Sequence, residues 1–140
     1  MSKNISISAD RGGYSLNVIL YGKSKSLFVV EDLLKSIAKV KNVSVFEHFP
    51  LAREYLEQHN ADMIILDADD DTTGWQYLAE KFGKINRQAK IVLLSCNIDD
   101  AVRAYEAGVF DYLLKPVKKK QLERVVAKSG IQMKNTVHSI

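Results

Sequence analysis

The stretch Ala61-Asp62-Met63-Ile64-Ile65-Leu66-Asp67 decides how the rest of the chain is read. Four apolar residues in a row, Met63 to Leu66, end abruptly in a carboxylate, and Asp69, Asp70 and Asp71 follow at once. An apolar run without alternation predicts a strand buried on both faces, as in a parallel sheet. In open α/β sheets chemistry gathers beyond the carboxyl ends of the strands, which is where Asp67 falls. The corresponding place on the first strand holds Tyr21, Gly22 and Lys23, with no acid.

Working outward, Leu16–Tyr21 reads as a first strand, and Ser26 to Val40 as a helix with Leu27, Val30, Leu33, Leu34 and Ile37 at helical spacing. Val43 to Phe49 reads as a short strand. Pro50 then opens a helix through Gln58, proline being favoured in a first turn. Gly74 to Phe82 carries the helical set Trp75, Leu78 and Phe82, and Ile91–Ser95 is a fourth strand. Asp99 or Asp100 is expected to cap a helix through Ala107, which Gly108 ends. Val109–Leu114 is a fifth strand, and Val117–Lys128 a last helix with lysines outward. Residues 1–14 are expected to be a flexible leader, 15–128 one domain, and 129–140 a polar tail or linker. Strands alternating with helices predict a parallel sheet covered on both faces.

The bulk numbers agree. At 140 residues the chain suits a single core, and 46% hydrophobic with 26% charged residues is a globular composition. A net charge of +3 does not by itself imply nucleic acid. A single cysteine, Cys96, excludes an internal disulfide and suits a reducing compartment. No apolar run reaches the roughly 20 residues of a membrane span, and no apolar leader marks secretion. A cytoplasmic location with no membrane partner is expected.

Three strand ends offer chemistry along one edge: Asp67, then Ser95 with Cys96 beside it, then Lys115 before Pro116. A carboxylate, a hydroxyl and an ammonium converging there would suit a phosphoryl group, with the carboxylate as nucleophile and the other two on the phosphoryl oxygens.

Over residues 16–128 the chain resembles the receiver domain of two-component response regulators. The resemblance lies in Ala61 to Asp67, in Ile91-Val92-Leu93-Leu94-Ser95, and above all in Tyr105-Glu106-Ala107-Gly108-Val109-Phe110-Asp111-Tyr112-Leu113-Leu114-Lys115-Pro116. That last motif is also similar to regulators with LytTR-type DNA-binding domains, although no such domain is read in these residues. The resemblance implies a doubly wound, five-stranded, flavodoxin-like sheet of order 2-1-3-4-5. It puts Asp67 at the phosphoacceptor position, Ser95 at the switch hydroxyl, Tyr112 at the switch aromatic and Lys115 at the pocket lysine. The family also places an acidic pair after the first strand to hold Mg²⁺, and here those positions are Tyr21 and Gly22. The loop after Asp67 lacks the usual proline, and Gly74 comes one residue early. Mg²⁺ needs oxygen ligands and neutralises a transferring phosphoryl group, so the departure points to an atypical, or pseudo-, receiver without a cofactor.

Each residue also has a plainer reading. Lys115 forms a salt bridge to Asp67. Ser95 satisfies a backbone group, and Tyr112 is a strand aromatic. Lys23 and Lys25 are loop lysines, though Lys23 sits where it could neutralise Asp67 without metal. Cys96 is a small filler. Gly22-Lys23-Ser24 echoes a Walker A loop, but Asn17 stands where its first glycine belongs. Asp69, Asp71, Thr73, Gly74 and Glu80 fit EF-hand calcium spacing, but a strand rather than a helix enters that loop. Lys118, Lys119, Lys120, Arg124 and Lys128 make the last helix basic without the aromatic platform that nucleic acid favours.

These readings converge on a non-catalytic signalling module that works by binding protein, a histidine kinase or an effector. One alternative is a working phosphoacceptor, phosphorylated on Asp67 with Mg²⁺. Another is a flavin-type cofactor binder on the same fold, against which the loop from Tyr21 to Ser26 counts. The resemblance further implies an interaction face on the fourth helix, fifth strand and fifth helix, for a protein partner or for a homodimer. There Arg103, Glu106, Asp111, Lys118, Lys119 and Arg124 mix both signs around Tyr105 and Tyr112, a pattern suited to a two-fold axis.

Overall fold

The computed structural model describes residues 15–69 and 74–138, with side chains in the last helix as far as residue 130. The leader expected over 1–14, and Asp70 and Asp71, lie outside the described residues. Five strands, β1 (Leu16–Tyr21), β2 (Val40–Phe46), β3 (Met63–Asp67), β4 (Lys90–Ser95) and β5 (Asp111–Leu114), alternate with five helices. The helices are α1 (Ser26–Lys35), α2 (Phe49–Gln58), α3 (Trp75–Ile85), α4 (Asp99–Glu106) and α5 (Lys119–His138). The sheet is parallel throughout in the order β2-β1-β3-β4-β5, the expected flavodoxin-like arrangement.

Period-two alternation divides the core in two. Leu16, Val18, Leu20, Met63, Ile65, Val92, Leu94 and Leu113 face α1 and α5, meeting Leu27, Val30 and Leu34 from one and Leu122, Val125 and Val126 from the other. Ile19, Tyr21, Ile64, Leu66 and Leu93 face the opposite way, onto Ala52 and Leu56 of α2, Trp75, Leu78 and Phe82 of α3, and Ala104 of α4. All five residues of β3 are buried, which is why its sequence shows no alternation. Parity then sets the site. Asp67 falls in step with Met63 and Ile65, toward α1 and α5, whereas Ser95 falls in step with Leu93, toward α3 and α4.

Several boundaries differ from the sequence reading. α1 stops at Lys35, because the Ser36 hydroxyl donates to the Leu33 carbonyl at 2.6 Å and the chain turns through Ile37. Val40, read as the end of the helix, instead opens β2, a place that suits a β-branched residue. α3 runs on through Gly83 to Ile85. β5 begins at Asp111 rather than Val109, while the Phe110 amide still donates to the Ile91 carbonyl at 2.7 Å. α5 starts at Lys119 and continues to His138, so most of the residues read as a polar tail are helical. Pro50 sits in the first turn of α2 as expected. Gly74 before α3 (φ 98°) and Gly108 after α4 (φ 79°) hold the left-handed conformations that glycine alone adopts cheaply.

Candidate functional site

The carboxyl ends of β3, β4 and β5 form a polar cluster around one ammonium. Asp67 is buried, its side chain wholly so, and Lys115 Nζ lies 3.0 Å from both of its carboxylate oxygens. The same ammonium lies 3.0 Å from Asp69 Oδ2. The Asp69 amide donates to Asp67 Oδ1 at 3.0 Å, a turn that folds the loop back over the strand end. Ser26, the first residue of α1, reaches Asp67 Oδ2 at 3.4 Å and shares a 2.8 Å hydrogen bond with Ser24. The peptide bond between Lys115 and Pro116 is cis.

Charge pairing governs titration here. Burial works to lower the Lys115 ammonium, but its hydrogen bonds to Asp67 and Asp69 outweigh burial and hold it above its ordinary value. Burial works to raise Asp69, yet Lys115 and the Cys96 amide, which donates to Asp69 Oδ2 at 2.9 Å, hold that carboxyl below its ordinary value. The exposed Cys96 thiol is pushed up by its hydrogen bond to Asp69 and by that residue's charge.

Ser95 belongs to a second group. Its hydroxyl is 2.7 Å from Asp100 Oδ2, 3.3 Å from Asp69 Oδ1 and 3.4 Å from the Asn97 carbonyl, and it accepts from the Asn97 amide at 2.9 Å. Asp100 Oδ1 accepts from Arg103 at 2.7 Å. The Tyr112 phenol donates to the Asn97 carbonyl at 2.8 Å. Burial raises its pKa, against a hydrogen bond with Ser95, and the Asp100 and Asp69 charges raise it further.

Of the residues singled out in the sequence, Asp67 and Lys115 therefore meet directly. Ser95 and Tyr112 share a neighbouring network that touches the pair through Asp69. Tyr21 is turned away from Asp67, packed edge-on against Phe82 with ring centres 5.2 Å apart. Gly22 continues the strand pairing through its amide to the Phe46 carbonyl, and Lys23 is exposed in the following loop. Glu80 is exposed on α3, and Asp71, its suggested calcium-binding companion, lies outside the described residues. On the expected interaction face, Arg103 pairs with Asp100, and Asp111 lies 3.5 Å from Lys128 and 3.8 Å from Arg124. Glu106 and Lys119 are exposed, and Tyr105 is 86% exposed.

Two residues in the cluster were not assigned these roles from sequence. Asp69 shares Lys115, a role foreshadowed by its place two residues after a strand-end aspartate. Asp100 was read as a possible helix cap, but no side-chain cap bond forms at α4 and Ile98 holds the cap position. Asp100 instead turns inward to Ser95, with Arg103 one turn later as its partner. That Asp-x-x-Arg spacing was the available signal.

The comparisons with known proteins follow this geometry. The family model for the response regulator receiver domain matches residues 23–127. Protein MrkE of Klebsiella pneumoniae is 23% identical over 126 residues, covering 83% of this chain and 47% of that protein. Sensory transduction protein LytR of Staphylococcus haemolyticus is 27% identical over 104 residues, covering 74% of this chain and 41% of that protein. The chain thus spans less than half the length of these relatives. The crystal structure of the response regulatory domain of Klebsiella MrkE superimposes with a TM-score of 0.71 at 21% identity, covering 86% of this chain and 99% of that one. With the family match covering β2 to β5 and the strand-end cluster, the chain belongs to the response regulator receiver domain family.

Proposed function

We propose that this receiver domain signals through protein contacts, without ordinary Mg²⁺-dependent phosphorylation of Asp67. The observation that carries the reading is the ammonium of Lys115, 3.0 Å from both oxygens of Asp67 and 3.0 Å from Asp69. One cation is already shared between the two carboxylates. The donor set suits Mg²⁺ poorly. The end of β1 offers Tyr21, whose ring packs on Phe82, and Gly22, which has no side chain. Mg²⁺ needs oxygen ligands in a near-octahedral shell.

The reading keeps the module non-enzymatic and its partner a protein, a histidine kinase or an effector. Two outer surfaces support that. On α1, Phe28 and Val29 are exposed beside a cavity of about 390 Å³ bordered by Val29, Pro116 and Val117. On α4, Ile98, Val102 and Tyr105 form an exposed apolar stripe at helical spacing, which suits association with a second copy. Among the described residues no helix is long and apolar enough to cross a membrane.

Incubation with acetyl phosphate and Mg²⁺, followed by intact mass, tests the reading. The expected result is an unmodified chain. Addition of one phosphoryl group, lost in Asp67→Asn, would establish the second reading, a working phosphoacceptor. The specific observation favouring that second reading is Asp69, a further carboxylate held beside Asp67.

A further inference from the structure

We propose that the cavity between α1 and the turn after β5 is a binding site for a small, uncharged, apolar molecule that carries one hydroxyl or N–H group. The cavity holds about 390 Å³, within the roughly 300–1,000 Å³ that small-molecule sites occupy. Val29 borders it from α1, and Pro116 and Val117 border it from the chain after β5. Val30 and Leu94 border it from within, and both belong to the buried core between the sheet, α1 and α5. The cavity is therefore a gap leading into the core rather than a dent in a polar surface. Covering its apolar walls is the main source of affinity for an occupant.

The polar groups on the wall decide the charge of that occupant. Ser26, Cys96 and Lys115 are the three that line it. A lysine beside an apolar gap would ordinarily invite an anion. Here the ammonium has three protons, and Asp67 Oδ1, Asp67 Oδ2 and Asp69 Oδ2 each lie 3.0 Å from it. Its donors are spent, and two carboxylates stand beside it to repel an anionic group. A cationic group would have to leave water for walls that are mostly apolar, which is costly without a partner made for it. Ser26 is differently placed. Its hydroxyl has one proton and two acceptor sites, and it is bonded only to Ser24 at 2.8 Å and Asp67 Oδ2 at 3.4 Å among the hydrogen bonds described. Whichever of the two serine hydroxyls donates to the other, Ser26 Oγ keeps an acceptor site for an O–H or N–H of the occupant. The site does not depend on whether Asp67 is phosphorylated, and Phe28, exposed on α1, stays available to a protein partner.

Cys96 lines the same cavity with an exposed thiol, so its alkylation by iodoacetamide reports occupancy. The probes are 2-naphthol, 2-naphthoate and naphthalene, added to the full chain at neutral pH. 2-Naphthol should slow alkylation several-fold with a saturating dose dependence, and should shift the amide NMR signals of Val29, Val30, Lys115 and Val117. 2-Naphthoate, of nearly the same shape but anionic, should not saturate at the same concentrations. Ser26→Ala should weaken 2-naphthol several-fold while leaving naphthalene, which has no hydroxyl, unchanged. Val29 is 57% exposed, so Val29→Trp can narrow the mouth without crowding the core, and it should abolish protection by 2-naphthol. The proposal is overturned if 2-naphthol gives no saturable protection, if Val29→Trp leaves protection intact, or if 2-naphthoate protects as well as 2-naphthol. It is also overturned if the probes do nothing while Cys96 becomes protected as the protein itself is concentrated, since the cavity would then belong to a contact between copies. None of these outcomes bears on the acetyl phosphate experiment, which reads the mass of the chain.

Discussion

Asp67 and Ser95 end neighbouring strands of one sheet, yet they face different worlds. Asp67 points toward α1 and α5 and is closed off by an ammonium. Ser95 points toward α3 and α4 and is held by a carboxylate. The cause is strand parity, since β3 contributes its odd positions to the α1–α5 face while β4 contributes its even ones. Register places Asp67 opposite Leu94, not opposite Ser95. Among the described residues the two groups meet through Asp69, which bonds Lys115 with one oxygen and approaches Ser95 with the other. A receiver pocket can therefore hold its carboxylates on an ammonium at one face while its hydroxyl is engaged on the other.

The comparison breaks most visibly at Lys115. Removing one partner of a buried ion pair is strongly destabilising, at a cost of about 3–5 kcal/mol. Lys115→Met is expected to lose stability in that range at neutral pH, read as a urea midpoint. Ser95→Ala should cost about 1 kcal/mol, the scale of an ordinary hydrogen bond, because Arg103 still pairs Asp100. Asp67→Asn added to Lys115→Met should recover much of the loss. Equal costs for Lys115→Met and Ser95→Ala would erase the distinction between the two groups.

Asp69, the bridge between them, gives a smaller and pH-dependent effect. Its folded pKa lies below the ordinary value of 3.8. A depressed carboxyl contributes stability above its unfolded pKa and loses it as pH falls through the folded one. The gap in urea midpoint between the parent and Asp69→Asn should therefore be constant at neutral pH and close only below 3.8. Lys115 behaves oppositely, its raised pKa giving a contribution that is full below 10.5 and lost at higher pH. A gap that already closes well above 3.8 would show that Asp69 is not held by Lys115 and the Cys96 amide.

How far the sequence could reach follows from the same parity. The run Met63 to Leu66 announced a two-sided strand, and the alternation of strands and helices announced the parallel sheet. The pairing of Lys115 with Asp67 was also legible, because the carboxyl ends of β3 and β5 lie one strand apart on the same edge of the sheet. Ser95 was harder. Its place at a strand end was plain, but the face it points to depends on the exact register of β4, and that is set by tertiary pairing rather than local pattern. The role of Asp100 was hidden because an aspartate at a helix start looks like a cap, and only the packed structure shows it turned inward. Val40 misled for a related reason, being apolar at a spacing that continues a helix while belonging to an edge strand.

The smallest expected effect on stability lies on the outer surface of α4, where the comparison turns from inside to outside. Ile98, Val102 and Tyr105 lie largely in solvent, whereas Asp100 and Ala104 on the other side of the helix are buried. Substituting Val102 by serine removes little buried area, so stability should move by no more than about 0.5 kcal/mol. Its effect on association should be larger. The charges once expected to bridge two copies are partly committed within the chain: Arg103 to Asp100, and Asp111 to Lys128 and Arg124. In the proposed self-association the apolar stripe is then the expected main attraction, with Glu106 and Lys119 exposed nearby. Val102→Ser with Tyr105→Ser should elute later than the parent on size exclusion at equal concentration. Phe28→Ser on α1 should elute with the parent, since that surface suits a different protein. If the α4 variant and the parent elute together while Phe28→Ser shifts, self-association belongs to α1 and the α4 stripe is not the contact between copies.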